Sequence, residues 1–333
     1  MSDRPQYSIS IVVCFHNAGA AIERTLEWLA RFESAAQLIL VDDASSDGTA
    51  ETLREWSAPR SRSTVIALPE NRGPARARNA AMADVRGDYV WFVDDDDEPA
   101  PDALAAFAYA IREAQPELVF ARARFRSADG AERWADGLDE TRVIGRREAL
   151  ARVLEGQVQG FLWSKLFHRS VLGDEPFVSE YPQEDFLGVV GAISRSTRIA
   201  LSPALVYTYV ERPGSISRDR RPDFSRYAAA RDAAVDAAGR AGVDAGTISF
   251  FRLWFYAIAV AFVPVRRKAA PDAVREGVRL ARAELRELDL SSCARHSRAA
   301  AAHGRVILLT GRLYPFLLRP ALVVHDLLRR LRR

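Results

Sequence analysis

Four consecutive aspartates, Asp94 to Asp97, directly follow the run Tyr89-Val90-Trp91-Phe92-Val93. A short apolar run of aromatic and β-branched residues reads as a buried strand. The charges therefore fall at a strand's C-terminal end, where open α/β sheets bind their ligands. Two unit charges about 4 Å apart repel by roughly 4 kcal/mol at an effective dielectric near 20. Such a cluster demands a cation, protonation, or splaying into water. Hard divalent cations such as Mg²⁺ or Mn²⁺ take carboxylate oxygens and share their shell with substrate phosphates. A solvated acidic turn is the plain alternative, and the strand in front tips the balance toward a ligand site.

The upstream sequence alternates strands and helices. Ser8-Ile9-Ser10-Ile11-Val12-Val13 reads as a first strand, with Cys14-Phe15-His16-Asn17-Ala18-Gly19 as the loop after it. Ala20 to Arg31 has helical spacing. Leu38-Ile39-Leu40-Val41 is a second strand ending in Asp42-Asp43, and Asp47 suits the start of a helix through Trp56. Thr64 to Leu68 is a third strand. It leads to Asn71-Arg72-Gly73-Pro74, whose proline fits a helix's first turn. Short connections between alternating elements predict a mostly parallel, helix-covered sheet. Its polar strand ends, at Asp43, Asn71 and Asp94, then converge on one crevice.

At these residues the chain resembles the family 2 glycosyltransferases of GT-A fold. The resemblance rests on four blocks: Ser10-Ile11-x-Val13 to Asn17; Val41-Asp42-Asp43 to Thr49; Asn71-x-Gly73 to Ala77-Arg78-Asn79; and Gly87-Asp88-Tyr89 to Asp94-x-Asp96-Asp97. It is close over residues 7–110 and weaker to about residue 218, through Trp163-Ser164-Lys165, Glu184-Asp185 and Arg212-Pro213-Gly214-Ser215. The resemblance implies sugar transfer from a nucleotide-diphosphate donor, with a UDP-sugar favoured, to an acceptor hydroxyl with inversion. It implies that Asp43 holds the base edge, that Cys14, His16 and Asn17 flank the base, and that Asn71, Arg78, Asp94 and Asp95 help hold the nucleotide. Asp94 and Asp96 would be the outer members of the family's Asp-x-Asp motif and would bind a divalent metal. Asp185 would be the catalytic base. Trp163, Lys165, Glu184, Arg212 and Arg218 are candidate acceptor or diphosphate contacts. The first loop departs from the family's usual Pro-x-Tyr-Asn.

The chemistry suits these residue types. A single displacement needs a carboxylate to take the acceptor proton on one face and neutralisation of the leaving diphosphate on the other. By itself, Glu184-Asp185 before an apolar run is equally an acidic helix start. Lys165 is one of two lysines against 45 arginines. It is as readily a core-edge side chain as a phosphate contact.

The expected layout is a glycosyltransferase domain over residues 1–222, with a nucleotide-binding half at 1–110 and an acceptor half at 111–222. A basic, mainly helical region over 223–333 follows. Residues 1–265 carry a balance of −7, and residues 266–333 a balance of +10. Apolar runs at Thr247–Val265 and Val306–Leu331 flank that positive charge. They predict either a helical subdomain, an oligomer contact, or docking on an anionic membrane. Nucleic acid is disfavoured, because aromatics are not interleaved with the arginines. Cys14 and Cys293 make no disulfide framework and no signal peptide opens the chain. Both point to the cytoplasm, with peripheral attachment to the inner face of the plasma membrane.

The expected role is synthesis of a cell-surface glycan on a glycan or lipid-linked acceptor. One rival is a catalytically idle nucleotide-sugar binder, against which Asp185 beside Asp94 and Asp96 argues. A sugar nucleotidyltransferase is the other. It would carry a basic Gly-rich loop after the first strand, where Cys14 to Gly19 has no Lys or Arg.

Overall fold

Continuous apolar runs build the centre of the first unit. The computed structural model describes residues 7–178, 183–211, 223–320 and 322. The chain divides into two compact units, Met1–Ser215 and Ile216–Arg333. In the first, β1 (Ile9–Phe15), β2 (Gln37–Asp42), β3 (Ser63–Ala67) and β4 (Tyr89–Asp94) alternate with α1 (Ile22–Ala30), α2 (Thr49–Ser57) and α3 (Gly73–Ala81). The strands β1, β2 and β4 are buried along nearly their whole length, as strands covered on both faces must be. They pair in parallel in the order β3-β2-β1-β4.

The sheet then becomes mixed. After β5 (Glu98–Pro99) and α4 (Ala103–Ala114) come β6 (Leu118–Arg126), β7 (Glu132–Trp134), β8 (Arg142–Ile144), α5 (Arg146–Leu154), β9 (Lys165–His168), α6 (Glu184–Arg195) and β10 (Ile199–Val210). The strand β9 lies antiparallel between β4 and β6, whereas β6 and β10 run parallel. The order is β3-β2-β1-β4-β9-β6-β10-β5, with β7 and β8 attached at the side. Parallelism therefore dominates only the nucleotide half. The antiparallel insertion follows from Lys165 to His168 returning directly along β4, a path with no local sequence signal.

Four strand ends thus release their loops along one edge. Trp91 and Phe107 pack edge-to-face at 5.2 Å beneath it. Phe92 does the same with Phe177 at 5.0 Å on the other sheet face. These alternating residues of one strand anchor both layers.

The second unit is helical. Helices Phe224–Arg240, Pro271–Arg286 and Arg298–Thr310 surround the apolar stretch Ala245–Arg266. That stretch is 22 residues long and apolar enough, by length and composition alone, to cross a membrane. More than half of its most apolar window is buried within the unit. Its one interior charge, Arg252, bonds Glu284 at 2.6 Å, and Glu284 also takes Arg231 at 2.7 Å. The buried partner is Glu284, and an arginine half-buried against it in this way fits a helix packed into the unit. Gly277 lets the helices close up: a Cβ there would lie 2.1 Å from the Val260 carbonyl oxygen. Residues 323–333, including Arg329, Arg330, Arg332 and Arg333, lie outside the described residues.

Candidate active site

The loops after β1 and β2 are laced together by short polar side chains. The Asn17 amide nitrogen donates to Ser45 Oγ at 2.9 Å, and Ser46 returns a hydrogen bond to Asn17 Oδ1 at 2.8 Å. Gly19 donates to Asp47 Oδ2 at 2.9 Å, and Asp47 Oδ1 takes the Thr49 hydroxyl at 2.6 Å, fixing the start of α2. Asn17 and Ala44 both hold left-handed backbone, with φ of 50° and 55°. Non-glycine residues there store strain, which persists where surroundings over-determine the conformation.

His16 sits on this lacework. Its Nδ1 lies 2.8 Å from the Asp43 carbonyl oxygen. A carbonyl can only accept, so Nδ1 carries the proton. Nε2 then accepts from the side-chain amides of Asn17 and Asn71, each at 3.0 Å. His16, Asn17 and Asn71 are exposed, and they form a polar rim at the strand ends. Asp43 is buried. Its two oxygens accept the backbone N–H groups of Arg72 and Gly73, each at 2.8 Å, at the start of α3. Each carboxylate oxygen keeps a second lone pair.

Arg78 is the hub of the site. It projects from α3, is buried, and donates from Nη1 to Asp185 Oδ1 at 2.7 Å and from Nη2 to Asp94 Oδ1 at 2.9 Å. Three separate elements, α3, the end of β4 and the start of α6, meet at this one guanidinium. The two acids hold Arg78 firmly charged against its burial. Burial raises the Asp185 carboxyl to about 6, with Asp94 and Glu184 adding to the rise and Arg78 opposing it. Cys14, beneath the aspartate loop, is pushed by burial up to about 12 and stays a thiol.

The four aspartates divide their tasks. Asp94, Asp95 and Asp96 are half-buried, whereas Asp97 turns inward. Asp97 accepts from the Tyr207 hydroxyl and from the Val210 amide, both at 2.9 Å. Tyr207 in turn accepts the Asp94 amide at 3.1 Å. Burial, reinforced by Asp94, raises Asp97 to about 8. Thr25 Oγ1 and Arg24 Nη2 of α1 donate to the carbonyls of Asp95 and Asp96, so the loop is clamped from both sides.

Trp163 and Lys165, candidate ligand contacts by sequence, are placed elsewhere. Trp163 is buried, stacked between Phe161 and Tyr207 with ring centroids 4.8 Å apart on each side. Phe161 is the one ring of that stack that reaches solvent. Lys165 is fully buried and donates to the Phe161 carbonyl at 2.7 Å and to Ser164 Oγ at 3.1 Å. Burial lowers it to about 8, opposed by Asp136 and Asp185. Both side chains are therefore internal supports for the segment leading to Asp185, with no surface to offer a ligand. Glu184 is half-buried beside Asp185 at the start of α6. Arg212 and Arg218 lie outside the described residues.

Sequence reasoning missed Tyr207 and the inward role of Asp97. Tyr207 stands in an ordinary strand pattern 110 residues away from Asp97, so only the fold discloses the pair.

Among the described residues, no group of three or more His, Cys, Asp or Glu side chains could hold a metal ion. Asp94 and Asp96 are half-buried carboxylates on one loop, with Asp94 Oδ1 already taken by Arg78. Two carboxylates of this kind would suit a hard cation only if water and a bound diphosphate completed its shell.

Residues 10–172 match the family model described as Glycosyl transferase family 2. The chain carries a family 2 glycosyltransferase domain. It is 29% identical over 239 residues to the succinoglycan biosynthesis protein ExoO of Rhizobium meliloti, covering 65% of this chain and 64% of that one. It is 37% identical over 97 residues to the teichuronic acid biosynthesis glycosyltransferase TuaG of Bacillus subtilis, described as putative, covering 29% of this chain and 38% of that one. The chain thus spans less than two thirds of these relatives' lengths. A crystal structure of residues 1–349 of S. aureus TarS, in complex with UDP-GlcNAc, has the same fold. It gives a TM-score of 0.70 at 18% identity, over 92% of this chain and 91% of that one. The domain is of GT-A fold, with C-terminal helices appended.

Proposed function

We propose that the chain is an inverting, divalent-metal-dependent glycosyltransferase that moves a sugar from a UDP-sugar to an acceptor hydroxyl in cell-surface glycan synthesis. The observation that carries this reading is the Arg78 bridge. It ties Asp94, from the acidic loop, to Asp185, at the start of α6, within one site. An acidic turn of no function has no need of a second carboxylate held opposite it by a buried arginine.

In this reading, residues 1–222 are the catalytic domain and 223–333 a basic, mainly helical region that follows it in the chain. Asn17, Asn71, His16 and Asp43 frame the nucleotide base, and Asp95 lies toward the ribose. Asp94 and Asp96 would hold Mg²⁺ or Mn²⁺, which supplies positive charge to the leaving diphosphate. Arg78, itself buried, adds a fixed positive charge near the same place. Asp185 takes the proton from the acceptor hydroxyl. That oxygen bonds to the anomeric carbon while the bond to the diphosphate oxygen breaks on the opposite face, so configuration inverts. A base raised to about 6 is ionised at neutral pH yet more basic than an ordinary aspartate. The acceptor is a glycan or lipid-linked sugar, reached from the cytoplasmic side of the plasma membrane. The names of ExoO and TuaG, both polysaccharide biosynthesis proteins, support that class.

Calorimetric titration with UDP tests the donor half. Binding should require Mg²⁺ or Mn²⁺ and vanish in EDTA, and Asp96→Ala should weaken it to the level seen with EDTA. Equal affinity with and without metal would remove the metal from this reading.

A further inference from the structure

Five large apolar side chains crowd the surface of the second unit within twelve residues. Val306, Leu309, Leu313, Phe316 and Leu317 are 43%, 86%, 64%, 68% and 55% exposed. The other exposed large apolar residues among those described, Tyr109, Trp134, Val143 and Val178, stand singly. Scattered apolar residues need no explanation, whereas a concentrated set marks an interaction surface.

Loose packing is not the cause. The same segment buries Ile307, Gly311 and Tyr314, and the Tyr314 hydroxyl lies 2.7 Å from His303 Nε2. A Cβ at Gly304 would come within 2.9 Å of Leu253 and 3.1 Å of Leu285, so the inner side is tightly seated. One side of the segment is fixed to the unit, and the other offers leucine and phenylalanine to its surroundings.

The charges among these residues narrow the partner. Arg305, Arg312 and Arg319 are exposed and fall at seven-residue intervals. From Arg298 to Pro320 there are four arginines and no Asp or Glu. A second copy meeting this face with its own like face would bring arginine against arginine. Nucleic acid would match the arginines but leave aliphatic side chains without bases to stack on. An anionic bilayer satisfies both sets at once, with acyl chains for the apolar groups and phosphates for the guanidinium groups.

We propose that this face of the second unit, centred on Leu309, Leu313 and Phe316 and bordered by Arg305, Arg312 and Arg319, docks onto an anionic lipid surface. It deepens the membrane part of the proposed function and names the surface responsible. It can fail while sugar transfer stands, because docking is read without donor or acceptor.

The test is co-sedimentation of the full chain with phosphatidylcholine vesicles, with and without a quarter of phosphatidylglycerol. The chain should sediment with the anionic vesicles at low salt and much less at high salt, because the ionic part is screened. Leu309→Glu with Phe316→Glu should weaken partition by roughly tenfold or more, since both lose apolar insertion and gain repulsion. Both positions are exposed, so thermal stability and donor hydrolysis should not change. Arg305→Gln, Arg312→Gln and Arg319→Gln together should remove the salt-dependent part. If the unmodified chain ignores anionic vesicles at low salt, the proposal is wrong. It is equally wrong if the double glutamate variant binds them as well as the parent. Light scattering reads the remaining outcome: a dimer that the glutamate variant dissociates, without vesicle binding, would assign this face to self-association.

Discussion

Arg78 holds one positive charge between two carboxylates, and removing it exposes what it does. Arg78→Ala leaves Asp94 and Asp185 facing each other without a counter-charge. Breaking a buried ion pair costs about 3–5 kcal/mol, and the partial exposure of these acids should reduce that to roughly 2–3 kcal/mol. Chemical denaturation measures it. Arg78 also opposes the rise of Asp185, so the variant's residual activity should have its acid limb at higher pH than the parent's. In the parent, the acid limb of kcat/KM should fall near pH 6, because the base works only when ionised. A limb near pH 4, the ordinary aspartate range, would show that burial does not raise the base. At this scale the sequence was partly legible. Asp94 stands out because it opens a carboxylate cluster behind a strand signal, whereas Asp185 is singled out only by the family resemblance, its residue type alone marking a helix start. Arg78 is one of 45 arginines, and only packing shows that it is the one placed between them. Trp163 and Lys165 mislead for the same reason: a side chain's type does not reveal which way it faces.

The strand ends and the elements behind them set the geometry. Asp97, buried and raised to about 8 from an ordinary 3.8, binds its proton more tightly folded than unfolded. Such a group stabilises the fold fully below its unfolded value and loses that contribution as pH rises through its folded value. Thermal stability should therefore decline between about pH 4 and pH 8 through this residue. Asp97→Asn should flatten the decline, as melting temperatures across that range would show. Gly160 fixes the approach to Asp185: a Cβ there would lie 2.6 Å from Phe186 Cδ2 and 3.0 Å from its Cα. Gly160→Ala should cost about 1–3 kcal/mol by overpacking and lower turnover by displacing the start of α6. Unchanged stability and turnover would show that the contact relaxes freely. Among elements, β1, β2 and β4 were legible because buried parallel strands are continuous apolar runs, and the half-buried β3 by its β-branched residues. The antiparallel return of β9 was not, since its four residues depend on β4 and β6 for pairing.

At the scale of the whole molecule, the charge asymmetry and the helical second unit were legible in composition and periodicity. The stretch Thr247–Val265 was not decided by its sequence, because buried and interfacial helices share the same apolar content. In the structure more than half of its most apolar window is buried, and its Arg252 pairs with the buried Glu284. Gly277→Ala should therefore destabilise this unit strongly, since its Cβ would strike the Val260 backbone oxygen. Differential scanning calorimetry should show a lowered transition. The central claim joins donor, acidic loop and base in one enzyme, and turnover of nucleotide sugars tests it most directly. Release of nucleoside diphosphate should be followed across a panel of nucleotide sugars, with Mn²⁺ or with EDTA, for the parent chain and for Asp185→Asn. At least one UDP-sugar should be turned over with Mn²⁺ and not with EDTA. The variant should be slower by roughly 10²–10⁴-fold at unchanged UDP affinity, the range expected for loss of a general base. If no nucleotide sugar is turned over, or if Asp185→Asn turns over at the parent's rate, the claim is contradicted.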